Sequence, residues 1–134
     1  MKLSLNRVGS PYSFEVSNET TICKMDASES IGGKNTGLRP MELVASGLAG
    51  CVAIDVLRIL EKQRVETQLF KIEIQAERRE ATPAPFEYIL LTFQVDEGLD
   101  KEKLTKNIQL VIDKYCSVSA SLDQGIIIET KVVS

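Results

Sequence analysis

The sequence predicts an α+β fold whose elements run three strands, helix, two strands, helix, strand. Three observations predict it: period-two alternation of apolar side chains near the N-terminus and again from Phe70, two segments with helical apolar spacing between Pro40 and Cys116, and Gly, Pro, Asn and Ser clusters that separate them. No internal repeat, low-complexity tract or long linker interrupts this order. The 134 residues are therefore expected to form one domain, 1–134.

From Lys2 to Met25 the apolar positions alternate (Leu3, Leu5; Tyr12, Phe14, Val16; Thr21, Cys23, Met25), with turn signals at Gly9-Ser10-Pro11 and Ser17-Asn18-Glu19. This predicts three short antiparallel strands. Asp26 to Leu38, DASESIGGKNTGL, is polar and glycine-rich and reads as a loop, either a solvated connector or a functional or interfacial segment. Pro40 then offers a favoured first helical residue and Glu42 an acid in the first turn, opening a helix to about Lys62. Ala45, Ser46, Gly47, Ala49, Gly50 and Ala53 make one side of that helix small, while apolar residues occur almost all round it. That pattern fits a helix buried in a core or interface, where close packing offsets the roughly 1 kcal/mol that each mid-helix glycine costs relative to alanine.

Alternation returns at Phe70, Ile72, Ile74 and Ala76 against Lys71, Glu73, Gln75 and Glu77, a half-buried strand. After the turn-rich Arg78 to Pro85, FEYILLTFQV is apolar on both faces and is expected to be a central strand covered on each side. Asp100 can cap a second helix carrying Leu104, Ile108, Ile112 and Tyr115 at helical spacing, with Cys116 ending the stripe. Ile126 to Val133 supplies the last strand.

Composition narrows the function classes. With 16 basic and 19 acidic residues the net charge is −3 and no Lys/Arg-rich run is present, which argues against nucleic acid as a partner. The start, MKLSLNRVGS, has no apolar h-region, so a cytoplasmic location is expected. The longest uncharged apolar stretch, Leu43 to Ile54, falls well short of the ~20 residues that cross a bilayer, and no membrane role is expected. The chain has no histidine, which removes Ser-His-Asp and Cys-His nucleophile activation and His-based zinc sites. Carboxylate, Lys, Tyr or Cys chemistry remains. Cys23, Cys51 and Cys116 lack C-x-x-C spacing and read as thiols, catalytic or inert, with no metal and no cofactor expected.

Free cysteine is among the most buried residue types, so packing is the default for each of the three, and for Cys23 on its strand it is the favoured reading. Cys51 and Cys116 each lie on an apolar helix, an arrangement compatible with their meeting in the core. The GGKNTG segment lacks the G-K-[ST] order of a phosphate cradle and a preceding apolar strand, so nucleotide binding is not expected.

The segment GLRPMELVASGLAGCVAIDVLRIL, the alternating strands after it, and KYCSVSASL together resemble the OsmC/Ohr family through nearly the whole chain, closest to its less characterised OsmC-like branch. The resemblance rests on Pro-x-Glu-Leu at a helix start, a small-residue run ending in Cys51, and Tyr115-Cys116-Ser117 further on. It implies antiparallel sheets with two long central helices in an entwined homodimer. It also implies thiol peroxidase activity toward organic hydroperoxides, with Cys51 peroxidatic, Cys116 resolving, and a dithiol as reductant. Such chemistry is coherent: a Cys51 thiolate would attack the O–O bond, release an alcohol, and be captured by Cys116 as a disulfide. An apolar pocket would favour bulky alkyl peroxides.

A thiolate is disfavoured by burial and needs a positive neighbour. The helix dipole cannot supply it, because Cys51 lies roughly 16 Å beyond Pro40 whereas the dipole fades within a turn. The peroxidases that the chain resembles support this cysteine with an N-terminal Arg and a Glu near the helix start. Here the Glu position falls on Met41, with Glu42 one residue later, and the Arg has no direct counterpart. Arg39 is the first candidate and Arg7 the second, against the alternative that each is a solvated charge. Along one helix Glu42 and Cys51 stand about 13 Å apart on opposite sides, so Glu42 or Arg39 could serve Cys51 only across a two-fold axis. Asp55 and Arg58, on the Cys51 face, read most economically as an ion pair. Beside the peroxidase stand two competing readings: a non-catalytic dimer that binds a small apolar ligand or senses redox state, and a different thiol reaction on the same scaffold.

Overall fold

The computed structural model describes residues 1–134 and divides into two units, Met1–Val44 and Ala45–Ser134. The first unit holds β1 (Ser4–Gly9), β2 (Ser13–Ser17) and β3 (Ile22–Met25) in an antiparallel sheet of order β1-β2-β3. Register places Leu5 beside Val16 and Val16 beside Cys23, so the alternating apolar positions share one face, as the sequence requires. That face is not buried within this chain: Leu5 is 56% exposed and Cys23 is also exposed, which overturns the expectation that Cys23 packs in a core.

The loop after β3 is organised by one carboxylate. Asp26, only 2% exposed, accepts hydrogen bonds from the backbone N–H groups of Ala27 (2.7 Å), Lys34 (3.0 Å) and Thr36 (3.2 Å) and from the Thr36 hydroxyl (2.7 Å). Two N–H groups of the GGKNTG segment, those of Lys34 and Thr36, are thus turned inward onto an internal anion. The tightness of the wrap explains two glycines: a Cβ on Gly33 would lie 1.9 Å from the Ala27 carbonyl oxygen, and one on Gly37 would lie 2.5 Å from the Lys24 carbonyl carbon.

Helix α1 (Pro40–Lys62) begins at the predicted proline and continues into the second unit. It ends without a glycine. Val65 N–H reaches the Leu60 carbonyl and Arg64 N–H the Glu61 carbonyl, with Arg64 in the left-handed region at φ 56°. These two bonds satisfy the last carbonyls by the Schellman pattern that glycine usually serves.

The second unit contains β4 (Phe70–Arg78), β5 (Phe86–Val95), α2 (Lys101–Leu110), a π-helical turn Val111–Tyr115, α3 (Ser117–Ser121) and β6 (Ile127–Val133). Sheet order is β4-β5-β6, so β5 is central as expected. β4 and β5 are antiparallel, whereas β6 joins β5 in parallel, which makes this sheet mixed. A parallel neighbour needs a long crossover, and α2 to α3 provide it. Ile89, Leu91, Phe93 and Val95 of β5 are at most 1% exposed, and with Leu48, Val52 and Val56 of α1 and Leu104 and Ile108 of α2 they form the core.

The opposite face of β5 is only half-buried, contrary to the expected cover on both sides. Register explains this: Thr92 and Gln94 lie between Glu73 or Lys71 on β4 and Lys131 or Val133 on β6, and Tyr88 donates its hydroxyl to Glu129 at 2.8 Å. The outer face therefore carries mostly polar neighbours, which the β5 sequence alone does not disclose. Asp100 caps α2 as expected, accepting the Lys103 N–H at 3.0 Å. A second carboxylate, Asp96, gathers the chain entering β4 by accepting from Thr67 Oγ1 and the N–H groups of Gln68 and Leu69. α1 is long and apolar enough, by composition, to cross a membrane, but in this fold Leu48, Val52 and Val56 are fully buried in the core.

The hydrogen bonds on Asp26, led by the Thr36 hydroxyl, lower its pKa from 3.8 to about 2. A depressed carboxylate contributes stability that is complete above its unfolded pKa and is lost as pH falls through the folded one. Loop protection should therefore hold above about pH 4 and fall away toward pH 2 in the native protein. In Asp26→Asn the Lys34 and Thr36 amides should exchange fast already at neutral pH. Residue-resolved hydrogen exchange across this range checks both outcomes.

Candidate active site

The two helices of the second unit bring Cys51 and Cys116 together. Cys51 sits on α1 between two stripes, one buried (Leu48, Val52, Val56) and one exposed (Gly47, Gly50, Ile54), and is itself half-buried. Its position at that seam follows from the 100° step of the helix. Cys116 is held differently. The second helix widens at its exit into a π turn, closed by Cys116 N–H to the Val111 carbonyl at 2.8 Å, and the backbone then becomes extended at Cys116. The next residues wind into α3, for which Cys116 is the N-cap: its Sγ accepts the Ser119 N–H at 3.3 Å, and its carbonyl accepts the Ala120 N–H at 3.0 Å. A sulfur here does what a serine or aspartate oxygen ordinarily does at a helix start.

Cys116 is 2% exposed, and burial pushes its thiol pKa up. The Ser119 and Val118 N–H groups act in the opposite direction, while the neighbouring Cys51 raises it further. No cation acts on it. The result is a buried thiol that keeps its proton, beside a second, more accessible one. Both cysteines are free. Thiols so placed can close a disulfide when one of them is oxidised.

The other candidates fall in the first unit. Arg39 is the N-cap of α1: its carbonyl accepts the Leu43 N–H at 3.0 Å and its N–H donates to Glu42 Oε1 at 2.8 Å. This is the return half of a capping box. The Arg39 guanidinium also lies 3.4 Å from the same oxygen, and together these contacts, the N–H first, lower the Glu42 pKa. Within the chain, Arg39 and Glu42 thus engage each other at the helix start. Arg7 braces the β1–β2 turn, donating from Nε to the Pro11 carbonyl and from Nη2 to Ser10 Oγ, each at 3.0 Å. Asp55 and Arg58 form the expected ion pair at 3.7 Å. Sequence reading missed the sulfur cap: the small polar run after Cys116 signals a helix start, but cysteine is outside the usual capping set.

A family model described as OsmC-like protein matches residues 33–131. Over 88 residues the chain is 37% identical to Protein YhfA of Escherichia coli (strain K12), a match covering 65% of this chain and 66% of YhfA, just under two thirds of that relative. A solved structure of a hypothetical protein from Aquifex aeolicus VF5 superposes with TM-score 0.82 at 26% identity, covering 98% of this chain and 93% of that one. The organic hydroperoxide resistance protein OhrB of Bacillus subtilis superposes with TM-score 0.70 at 18% identity, covering 98% and 96%, a likeness of fold alone.

Exposure orders the three thiols, and the raised pKa of Cys116 reinforces the order. Brief alkylation of the reduced native protein should label Cys23 first, Cys51 next and Cys116 last, with Cys116 requiring more alkaline solution. Peptide mass mapping over time checks this, and equal labelling of all three would contradict the geometry.

Proposed function

The chain belongs to the OsmC-like protein family, and from that premise we propose that it is a thiol peroxidase that reduces organic hydroperoxides. The approach of Cys51 to Cys116, one accessible and one buried, carries the reading. Cys51 sulfur attacks the peroxide O–O bond, the alcohol leaves, and Cys51 becomes a sulfenic acid. Cys116 then displaces the hydroxyl: the S–S bond forms, the S–O bond breaks, and the Cys116 proton leaves with the oxygen as water. A thiol reductant returns both sulfurs to the reduced state, and no cofactor is required. Gly47, Gly50 and Ile54 flank Cys51 on the open side and suit an alkyl peroxide better than a small polar one.

The same open stripe supports a homodimer. A Cβ placed on Gly47 or Gly50 meets nothing within 4 Å, and Ile54 and Leu57 are 63% and 38% exposed. Glycines that cost helix stability and pack against nothing in their own chain are explained by a second copy whose helix approaches closely there. That copy is also the proposed source of the cation for Cys51, with Arg39 preferred and Arg7 second. Glu42 would then hold the guanidinium in position, as it already engages Arg39 within the chain.

Sub-stoichiometric cumene hydroperoxide added to reduced protein should produce a Cys51–Cys116 disulfide rapidly, read by intact mass as the loss of two hydrogen atoms, and Cys51→Ser should block it. Slow oxidation spread over all three cysteines would instead favour the non-catalytic reading. Mixed dimers test the shared site: a Cys51→Ser subunit paired with an Arg39→Ala subunit should retain one working site if Arg39 acts across subunits, and none if it acts within one.

A further inference from the structure

Cys116 is 2% exposed and Cys51 half-buried, so in a disulfide between them a thiolate arriving from solvent meets the Cys51 sulfur first. Thiol–disulfide exchange goes to the sulfur that can be reached, and the other sulfur is expelled with the bonding electron pair. That gives Cys116 the leaving role, in surroundings where a bare thiolate is costly. The backbone that follows it offsets the cost: Cys116 Sγ already accepts the Ser119 N–H at 3.3 Å. The N–H groups around Cys51, in the middle of α1, are instead engaged with carbonyls one turn back.

We propose that Ser119 is a catalytic residue through its backbone N–H: the reductant attacks Cys51, and this N–H receives the charge on the expelled Cys116 sulfur. The inference rests on the reading of Cys51 and Cys116 as a redox pair. Peroxide and reductant then meet the chain at the same sulfur, in turn. The role is independent of the Ser119 side chain and is open to any residue at 119 except proline, which has no N–H.

The steps balance. The reductant sulfur bonds to Cys51 Sγ, the Cys51–Cys116 bond breaks, and its electron pair goes to Cys116. There the Ser119 N–H holds the charge until Cys116 takes up the proton that the reductant gave up. A second thiol, from the same dithiol or another molecule, attacks the reductant sulfur of the mixed disulfide. The electron pair returns to Cys51 with the second proton, and the reductant leaves as its own disulfide. In the oxidative direction the same N–H steadies Cys116 as it gives up its proton and displaces hydroxide from the Cys51 sulfenic acid, the two leaving as water.

The test uses 2-mercaptoethanol as the probe and installs the disulfide with diamide, so that it does not depend on peroxide. Acid-quenched intermediates of the unaltered protein should carry the mercaptoethanol adduct on Cys51, located by peptide mass mapping. Ser119→Pro removes the N–H in the first turn of α3, where proline is tolerated. It should slow reduction about ten-fold, less than the roughly 10²–10³ carried by a donor to an oxyanion, because sulfur is the weaker acceptor. Ser119→Ala keeps the N–H and should be reduced at the unaltered rate. Alkylation of Cys51 in the reduced proteins should be equally fast in all three, a readout that general damage to the site would move. If Ser119→Pro misfolds, a backbone ester at 119 replaces the N–H by oxygen without a ring, introduced by ligating a synthetic 116–134 segment at Cys116. An adduct on Cys116, an unchanged reduction rate without the N–H, or equal slowing of Cys51 alkylation would overturn the proposal. Disulfide formation with diamide but not with hydroperoxide sinks the peroxidase reading and leaves the Ser119 role to be decided by these rates. No disulfide with either oxidant sinks both.

Discussion

Burial of Leu48, Val52, Val56 and Leu60 of α1 together with Ile89, Leu91, Phe93 and Val95 of β5 is the constraint on which the rest of the second unit depends. Each fully buried side chain of this size contributes about 1.5–3 kcal/mol. Once that stripe faces the sheet, the rotation of α1 is set, and every other residue of the helix takes its place by 100° steps. Gly47, Gly50 and Ile54 are turned outward, and Cys51 is left at the boundary. Leu104 and Ile108 anchor α2 in the same core, with Val111 continuing the stripe into the π turn. The turn then delivers Cys116 to Cys51.

Cys116 owes its position to backbone accounting as much as to packing. A helical run that ends with the π turn at Tyr115 and another beginning at Ser117 leave orphan N–H and C=O groups close together, and the one residue between them must serve both ends. Cys116 does so with its N–H to Val111, its carbonyl to Ala120 and its sulfur to the Ser119 N–H. The sulfur is therefore oriented before any reaction begins, and its proton is retained by burial. On the proposed reading of Cys116 as the resolving thiol, preorganisation of this kind would let it act without a structural rearrangement of its own.

Carboxylates elsewhere serve architecture. Asp26 and Asp96 each collect several N–H groups from a loop, and no buried side-chain nitrogen or oxygen lacks a partner. In the first unit the anion at the centre of the GGKNTG wrap is supplied by the chain itself, which is why a glycine-rich segment with N–H groups pointing inward need not bind a phosphate. Gly33 and Gly37 are required there by close backbone approach.

Local patterns were enough to place the strands, the start of α1 at Pro40, the Asp100 cap and the Asp55–Arg58 pair, because alternation, capping and i,i+3 spacing act over a few residues. Resemblance across the chain singled out Cys51 and Cys116. What the sequence left open depended on neighbours that arrive from far along it. The polar outer face of β5 is decided by Lys71, Glu73 and Lys131 on adjoining strands, and the exposure of Cys23 by a sheet face with nothing over it in its own chain. The end of α1 was unmarked because Arg64 takes a left-handed conformation that glycine usually signals. The amino-acid order by itself determined which segments are helix or strand and which three residues could carry thiol chemistry. Only the tertiary structure decided that two of those thiols meet and that one is buried and caps α3, since burial is a property of elements packed together and not of any one of them.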